Sequence, residues 1–370
     1  MSIIATPSKS QKSNGFSADR KKDQTMKALV YGGPGKIEWK DVPMPVIEKT
    51  TDALVKILNT TICGTDLGIL KGKVPSVKPG TTLGHEGVGI VEEVGLAVKN
   101  FKKGDLVIIS CITADGTCEY CKKQMYSHCK DGGWILGNLI NGTQAEYVRI
   151  PHAANSLHAI PENSDVEAMV MLSDILPTGH EIGVISGCVK PGDTIAIVGA
   201  GPIGIAALLT AQFYSPAKIY VIDVDENRLA LAKKFGATDT INSSSEDAVK
   251  RIMAETQDGV DVSIEAVGLP DTFDICQNIV RPGGHLANIG VHGHPVDLQI
   301  QTLWIQNITI TMGLVNTNTT PMLLKTVSSG KIDPNKLITH HFKLNDIIKA
   351  YQVFGNAQKE KALKVILANG

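Results

Sequence analysis

Three side chains far apart in the chain carry the chemistry worth following first. Cys63 opens the stretch Cys63-Gly64-Thr65-Asp66, His85 and Glu86 follow Gly84, and Asp174 lies in the largely apolar run Leu172-Ser173-Asp174-Ile175-Leu176-Pro177. A lone cysteine usually packs in a core, and a lone histidine is usually a satisfied polar residue. Together, a thiolate, an imidazole and a carboxylate are the donors zinc prefers, and a catalytic zinc keeps three protein ligands and one open position. Asp174 strengthens the combination, because a carboxylate among apolar residues is costly to bury unless its charge is compensated. A metal would compensate it. Glu86 is then either an exchanging fourth ligand or a residue that hydrogen-bonds the ligands and orients them.

A second chemistry is written in Gly199-Ala200-Gly201-Pro202-Ile203-Gly204, a GxGxxG that follows an apolar run and opens a helical pattern. That context makes it a dinucleotide fingerprint. Gly199 permits the tight turn, Gly201 lets backbone approach a pyrophosphate, and Gly204 lets helix and strand pack closely. Pro202 and Ile203 fill the spacer at the helix start. Asp223, 19 positions after Gly204, ends the next apolar run. A carboxylate there accepts hydrogen bonds from ribose hydroxyls and repels a 2′-phosphate, so NAD is expected rather than NADP. Arg228 either stacks on adenine or is an exposed helix arginine.

The elements that must position these residues change character along the chain. Residues 26 to 150 are dense in glycine and proline, with short β-prone runs at 53–58 and 87–91, which suggests an antiparallel or barrel-like domain. Beyond Pro177, strands at 194–198, 218–222, 260–264 and 285–289 alternate with helical patterns at 202–214 and 226–235. That alternation predicts a parallel, doubly wound sheet with both faces covered. Residues 1–25 are polar, without sustained apolar period, and read as a disordered extension. Asp19, Asp23 and the single Arg20 argue against a mitochondrial presequence.

Composition excludes several classes. The chain has 370 residues and a formal net charge of −1, which marks no nucleic-acid or anionic-membrane partner. No apolar run approaches the roughly 18 residues of a membrane span. Seven cysteines (63, 111, 118, 121, 129, 188 and 276) are too few and unevenly spaced for a disulfide scaffold. Their clustering fits metal binding in a reducing, cytoplasmic compartment.

The order of Cys-Gly-Thr-Asp, Gly-His-Glu, a cysteine cluster, Asp before Pro-Thr-Gly, and GxGxxG resembles the zinc-dependent medium-chain alcohol dehydrogenase family from Met26 onward. The resemblance implies an α/β fold with a GroES-like β-barrel catalytic domain over 26–177, completed by 318–370, and a Rossmann nucleotide domain over 178–317. It implies hydride transfer between an alcohol and NAD, with zinc ionising the alcohol oxygen, in a homodimer or homotetramer. Asp174 stands where the second cysteine of a Cys₂His site would fall, as in the Cys/His/Asp branch. The family's structural zinc lobe places its four ligands on Asp115, Cys118, Cys121 and Cys129, whereas Cys111 lies four residues too early. The alternatives are an occupied zinc site, a weakened one, or a lobe without metal. By the same resemblance, Thr65 hydrogen-bonds the substrate oxygen and Thr178 lies beneath the nicotinamide. The histidine that often ends the proton relay is replaced by Gly68. Trp134 either lines the substrate pocket or packs in its loop. A polyol or sugar dehydrogenase on the same scaffold, and a non-catalytic NAD(H)-binding relative, are the competing readings.

Overall fold

The computed structural model describes residues 24–370, so the expectation for 1–25 falls outside it except at its last two residues. Of these, Thr25 already opens a strand. Strand Thr25–Gly33 turns back on Lys36–Pro43 as an antiparallel hairpin. Gly33 and Gly35 make that turn at φ +114° and +72°, a region that favours residues without Cβ.

The expected barrel-like layer is a seven-stranded sheet. Its path runs Ile338–Lys343, Lys364–Ala368, Ala53–Thr61, Gly87–Val94, Leu106–Ile109, Leu157–Ala159, with Tyr147–Ile150 also paired to Ala53–Thr61. The last strand of the chain therefore inserts between Ile338–Lys343 and Ala53–Thr61, parallel to one and antiparallel to the other. This insertion carries Lys364 into the sheet interior. The β-prone runs at 53–58 and 87–91 extend further than their periodicity suggests, to Thr61 and Val94.

The second layer is a six-stranded sheet, parallel throughout. Counted along the chain, its strands are Thr194–Val198, Lys218–Asp223, Asp239–Asn242, Val260–Glu265, Val280–Asn288 and Thr309–Met312. In space they run third, second, first, fourth, fifth, sixth. The chain changes direction across the sheet between the first and fourth strands, and beyond their carboxyl ends such sheets leave a binding crevice. Helix Pro202–Ala211 leaves the first strand and is buried on nearly all sides, which explains its continuous apolar character. The helical pattern expected to reach residue 214 tightens after Ala211 into a short turn over Gln212–Tyr214.

The junction between the layers is helical. Ile175–Thr178 runs into a π-helical stretch, Gly179–Ile185, packed on Pro202–Ala211. Close approach is enforced by Gly179, where a Cβ would stand 2.7 Å from the Ala207 nitrogen. The main core spans both layers, from Val88 and Ile108 through Leu172, Leu176 and Ile197 to Ile366.

Candidate active site

Cys63 sits at the break after strand Ala53–Thr61 and precedes the short helix Gly64–Leu70. The carboxylate of Asp66 turns back to accept the Cys63 amide at 2.9 Å, which fixes the orientation of the thiol-bearing residue. His85 and Glu86 precede strand Gly87–Val94, after Gly84 at φ +94°. A Cβ on Gly84 would meet Gln144 Cγ at 2.6 Å, so this approach needs a glycine twice over. Asp174 arrives from the other side, at the start of Ile175–Thr178.

These elements bring Cys63, His85, Glu86 and Asp174 together: one donor atom from each lies within 4.8 Å of the others. His85 Nε2 is 3.2 Å from Asp174 Oδ2, while its Nδ1 faces Asp66 Oδ1 at 3.9 Å. Asp66 is itself buried and held by Gln144 Nε2 at 3.0 Å, and Gln144 accepts the Tyr351 hydroxyl at 2.8 Å. A carboxylate facing Nδ1 favours the tautomer that leaves Nε2 free for a metal. The Thr178 hydroxyl donates to Asp174 Oδ1 and holds that carboxylate in place. Thr65 Oγ1 lies 3.7 Å from Cys63 Sγ, half-buried. Nothing stands within 4 Å of where a Gly68 Cβ would be, so open space lies beside that helix.

One partner escapes sequence reasoning. Lys364, from the inserted C-terminal strand, bonds both Glu86 oxygens at 2.7 and 2.9 Å, and each side chain is 1% exposed. A second is Cys111, which lies beside this cluster and not in the cysteine lobe. Burial, with Asp174, Glu86 and Cys63 nearby, pushes its thiol well above the ordinary range. Trp134 stands edge-on to the His85 ring at 6.2 Å, and its indole Nε1 is buried without a partner.

Electrostatics favour a cation here. Burial raises Glu86, with Lys364 opposing. Burial also disfavours the charged form of Asp174, but bonding to and the charge of His85 outweigh it and hold that group below the usual carboxylate range. For His85, burial opposes protonation, yet its bonds with Asp174 and Cys63 raise it well above an ordinary histidine. Cys63, Glu86, Asp174 and Asp66, four potential anions, thus gather around one fixed ammonium among the described residues, and the donor set of thiolate, imidazole and two carboxylates fits one divalent zinc.

The second cluster is equally compact. Asp115, Cys118, Cys121 and Cys129 present donors within 4.8 Å of one another. Backbone N–H groups of Cys121 and Lys130 lower the Cys118 thiol to about 7, whereas burial pushes Cys121 up to about 12. Asp115 takes its place through a tight turn, accepting the Cys118 amide at 2.8 Å.

At the glycine turn the three glycines differ physically. Gly199 has φ +108°, and a Cβ on Gly204 would stand 1.8 Å from the Gly199 carbonyl oxygen. Around Gly201 the space is open, with only Arg228 at 4.0 Å from such a Cβ. Pro202 and Ile203 begin the helix behind it. Asp223 accepts the Ala200 amide at 2.6 Å, which ties the strand-end carboxylate to the turn. Arg228 approaches the same turn from helix Glu226–Lys234, its Nε buried and paired with Asp225 Oδ2 at 4.0 Å without a hydrogen bond. No helix of the described residues is long and apolar enough to cross a membrane.

Comparison with known proteins places this geometry in context. Residues 49–162 match the family described as alcohol dehydrogenase GroES-like domain, and residues 202–329 match zinc-binding dehydrogenase. An alcohol dehydrogenase of Cupriavidus necator is 37% identical, over 92% of this chain and 98% of its own. Among solved structures, zinc dependent alcohol dehydrogenase 2 from Streptococcus pneumonia is 58% identical with a TM-score of 0.90, covering 93% of this chain and 98% of that one. Alcohol dehydrogenase TADH from Thermus sp. ATN1 is 35% identical with a TM-score of 0.87, covering 93% and 100%.

Proposed function

The chain belongs to the zinc-dependent medium-chain alcohol dehydrogenase family, and on that premise we propose that it interconverts a primary or secondary alcohol with its aldehyde or ketone, using NAD. The observation that carries this reading is the convergence of Cys63, His85 and Asp174 from three separate segments onto one donor cluster. These residues would hold the catalytic zinc, with Glu86 as an exchanging ligand, and Asp115, Cys118, Cys121 and Cys129 a structural one. A bound zinc supplies a Lewis acid that makes an alcohol oxygen easier to ionise.

The chain's own residues supply position and proton handling. Thr65, beside Cys63, would take the alcohol's proton only as it passes its own hydroxyl proton to water in the open space at Gly68, so it relays the proton and stays neutral. Thr178 holds Asp174 in fixed orientation, and the Asp66 carboxylate faces the His85 ring. Trp134 walls the cluster and excludes bulk water. The turn at Gly199, Gly201 and Gly204 presents N–H groups to the pyrophosphate, Arg228 adds a cation, and Asp223 accepts the ribose hydroxyls. Because Asp223 is anionic, a 2′-phosphate is disfavoured.

A homo-oligomer in the cytoplasm completes the reading. Strand Thr309–Met312 is the edge of the parallel sheet, and Ile300, Trp304, Ile305 and Met312 beside it are 62–71% exposed. An unpaired edge with apolar neighbours suits a second copy of the same chain. The reading is tested with primary alcohols, secondary alcohols and polyols, each with NAD+ and NADP+. Turnover of simple alcohols with NAD+ that disappears in Cys63→Ala supports it. Turnover of polyols alone would redirect it to sugar chemistry, and no turnover with any substrate would refute an enzymatic role.

A further inference from the structure

Glu265 ends the fourth strand of the parallel sheet and is fully buried. Its Oε1 is saturated, accepting Val267 N at 3.0 Å, Gly268 N at 2.8 Å and the Thr272 hydroxyl at 2.6 Å. Its Oε2 accepts no hydrogen bond, and the group facing it is His292, whose Nε2 stands 3.4 Å away. The same Nε2 meets Asn288 Oδ1 at 2.8 Å, and Asn288 in turn donates to the Gly290 carbonyl at 2.9 Å. Both neighbours of Nε2 are acceptors, so this nitrogen carries the proton. Phe273 closes the pocket edge-on to the imidazole at 6.0 Å.

These contacts join two loops at the mouth of the crevice. Residues 266–268 follow the fourth strand, and 289–292 follow the fifth. They meet backbone to backbone: a Cβ on Gly290 would stand 2.2 Å from both Gly268 N and Glu265 Oε2. Val267 lies against Gly199 of the glycine turn, where a Cβ would meet its Cγ2 at 2.5 Å. On the other side, Lys73 reaches Gly293 from the zinc-bearing layer, 3.2 Å from where a Cβ would be. Val267 and Val291 are 43% and 84% exposed, pointing outward from a buried clamp. In a doubly wound sheet, the second mononucleotide half binds over strands four to six.

We propose that His292 is a positioning residue for the nicotinamide half of the cofactor. Its Nε2–H bonds Asn288 and faces the buried Glu265 carboxylate at 3.4 Å, holding loops 266–268 and 289–292 in the conformation that receives the ring. Burying a carboxylate is costly unless a polar group faces it, so removing the imidazole that faces Oε2 and bonds Asn288 loosens both loops together. The proposal rests on the dinucleotide reading, and the test separates the two.

NADH and AMP binding are measured by fluorescence and calorimetry on the full-length, zinc-loaded protein. Amide exchange at 266–268 and 289–292 is followed without cofactor. His292→Leu is expected to weaken NADH roughly tenfold, the scale of one hydrogen bond. It should speed exchange in both loops while leaving AMP unchanged, because AMP engages only the first half of the sheet. His292→Gln, which keeps a donor, is expected to stay close to the parent. If His292→Leu does not accumulate, Asn288→Ala, which removes the acceptor bonded to Nε2, carries the same expectation for NADH and AMP. Parental NADH affinity in the leucine variant, equal loss of AMP, or equal loss in His292→Gln would overturn the proposal. A parent that binds neither nucleotide would overturn the dinucleotide reading with it.

Discussion

Replacing Lys364 by methionine removes the only cation bonded to Glu86 among the described residues and keeps the volume of the stem. Both partners are 1% exposed, and the ammonium also reaches the Ile62 carbonyl at 3.3 Å. Breaking a buried pair by deleting one partner costs about 3–5 kcal/mol, because the remaining charge is left uncompensated. Burial already raises Glu86, so without Lys364 the carboxyl takes up a proton more readily or turns toward the zinc cluster. Denaturant unfolding of the metal-free protein measures the loss. In the same assay, Glu86→Gln/Lys364→Met should regain most of it, since no charge remains to be desolvated. A loss under about 1 kcal/mol in Lys364→Met, or a double variant no more stable than the single one, would refute the reasoning.

Three further outcomes are expected. Asp223→Gly should lower the ratio of NAD+ to NADP+ efficiency, read from kcat/KM with each; an unchanged ratio removes Asp223 from cofactor choice. His180 is buried, its Nδ1 lacks a partner, and burial lowers it to about 4. The unfolded chain therefore binds that proton first on acidification. Stability is present above pH 6.5 and falls by at most about 1.4 kcal/mol per pH unit from there toward 4. His180→Phe should flatten that part of the unfolding profile, and an unaltered slope would contradict the assignment. At the edge strand, Met312→Glu should shift sedimentation toward smaller species without altering far-UV dichroism, whereas an unchanged sedimentation coefficient would move the interface elsewhere.

The parts legible from sequence are those in which residue type and local context agree. GxGxxG is legible as a strand–turn–helix junction because an apolar strand precedes it and a helix follows, and the glycines occupy three physically distinct positions. The donor cluster of Cys63, His85, Glu86 and Asp174 is legible from donor chemistry, although its members are brought together only by tertiary structure. Lys364 was not legible: its partner is 278 residues away, and a lysine near a strand end usually faces solvent. Spacing excludes Cys111 from the lobe, four residues out of register, but cannot show that tertiary structure sets it beside Asp174, Glu86 and Cys63. His292 gave no signal, since Glu265 is buried by packing of strands and helices far apart in sequence. The π-helical stretch at the junction likewise follows from the fit of Gly179 and Gly183 against Pro202–Ala211 and the parallel sheet, not from local propensity.

Metal content measured alongside NAD+ reduction, for the parent and His85→Ala prepared identically, tests the central claim most directly. The account predicts that His85→Ala loses one equivalent of zinc per chain and all alcohol turnover, while still binding NADH. Full parental zinc together with parental turnover in that variant would show that His85 holds no catalytic metal.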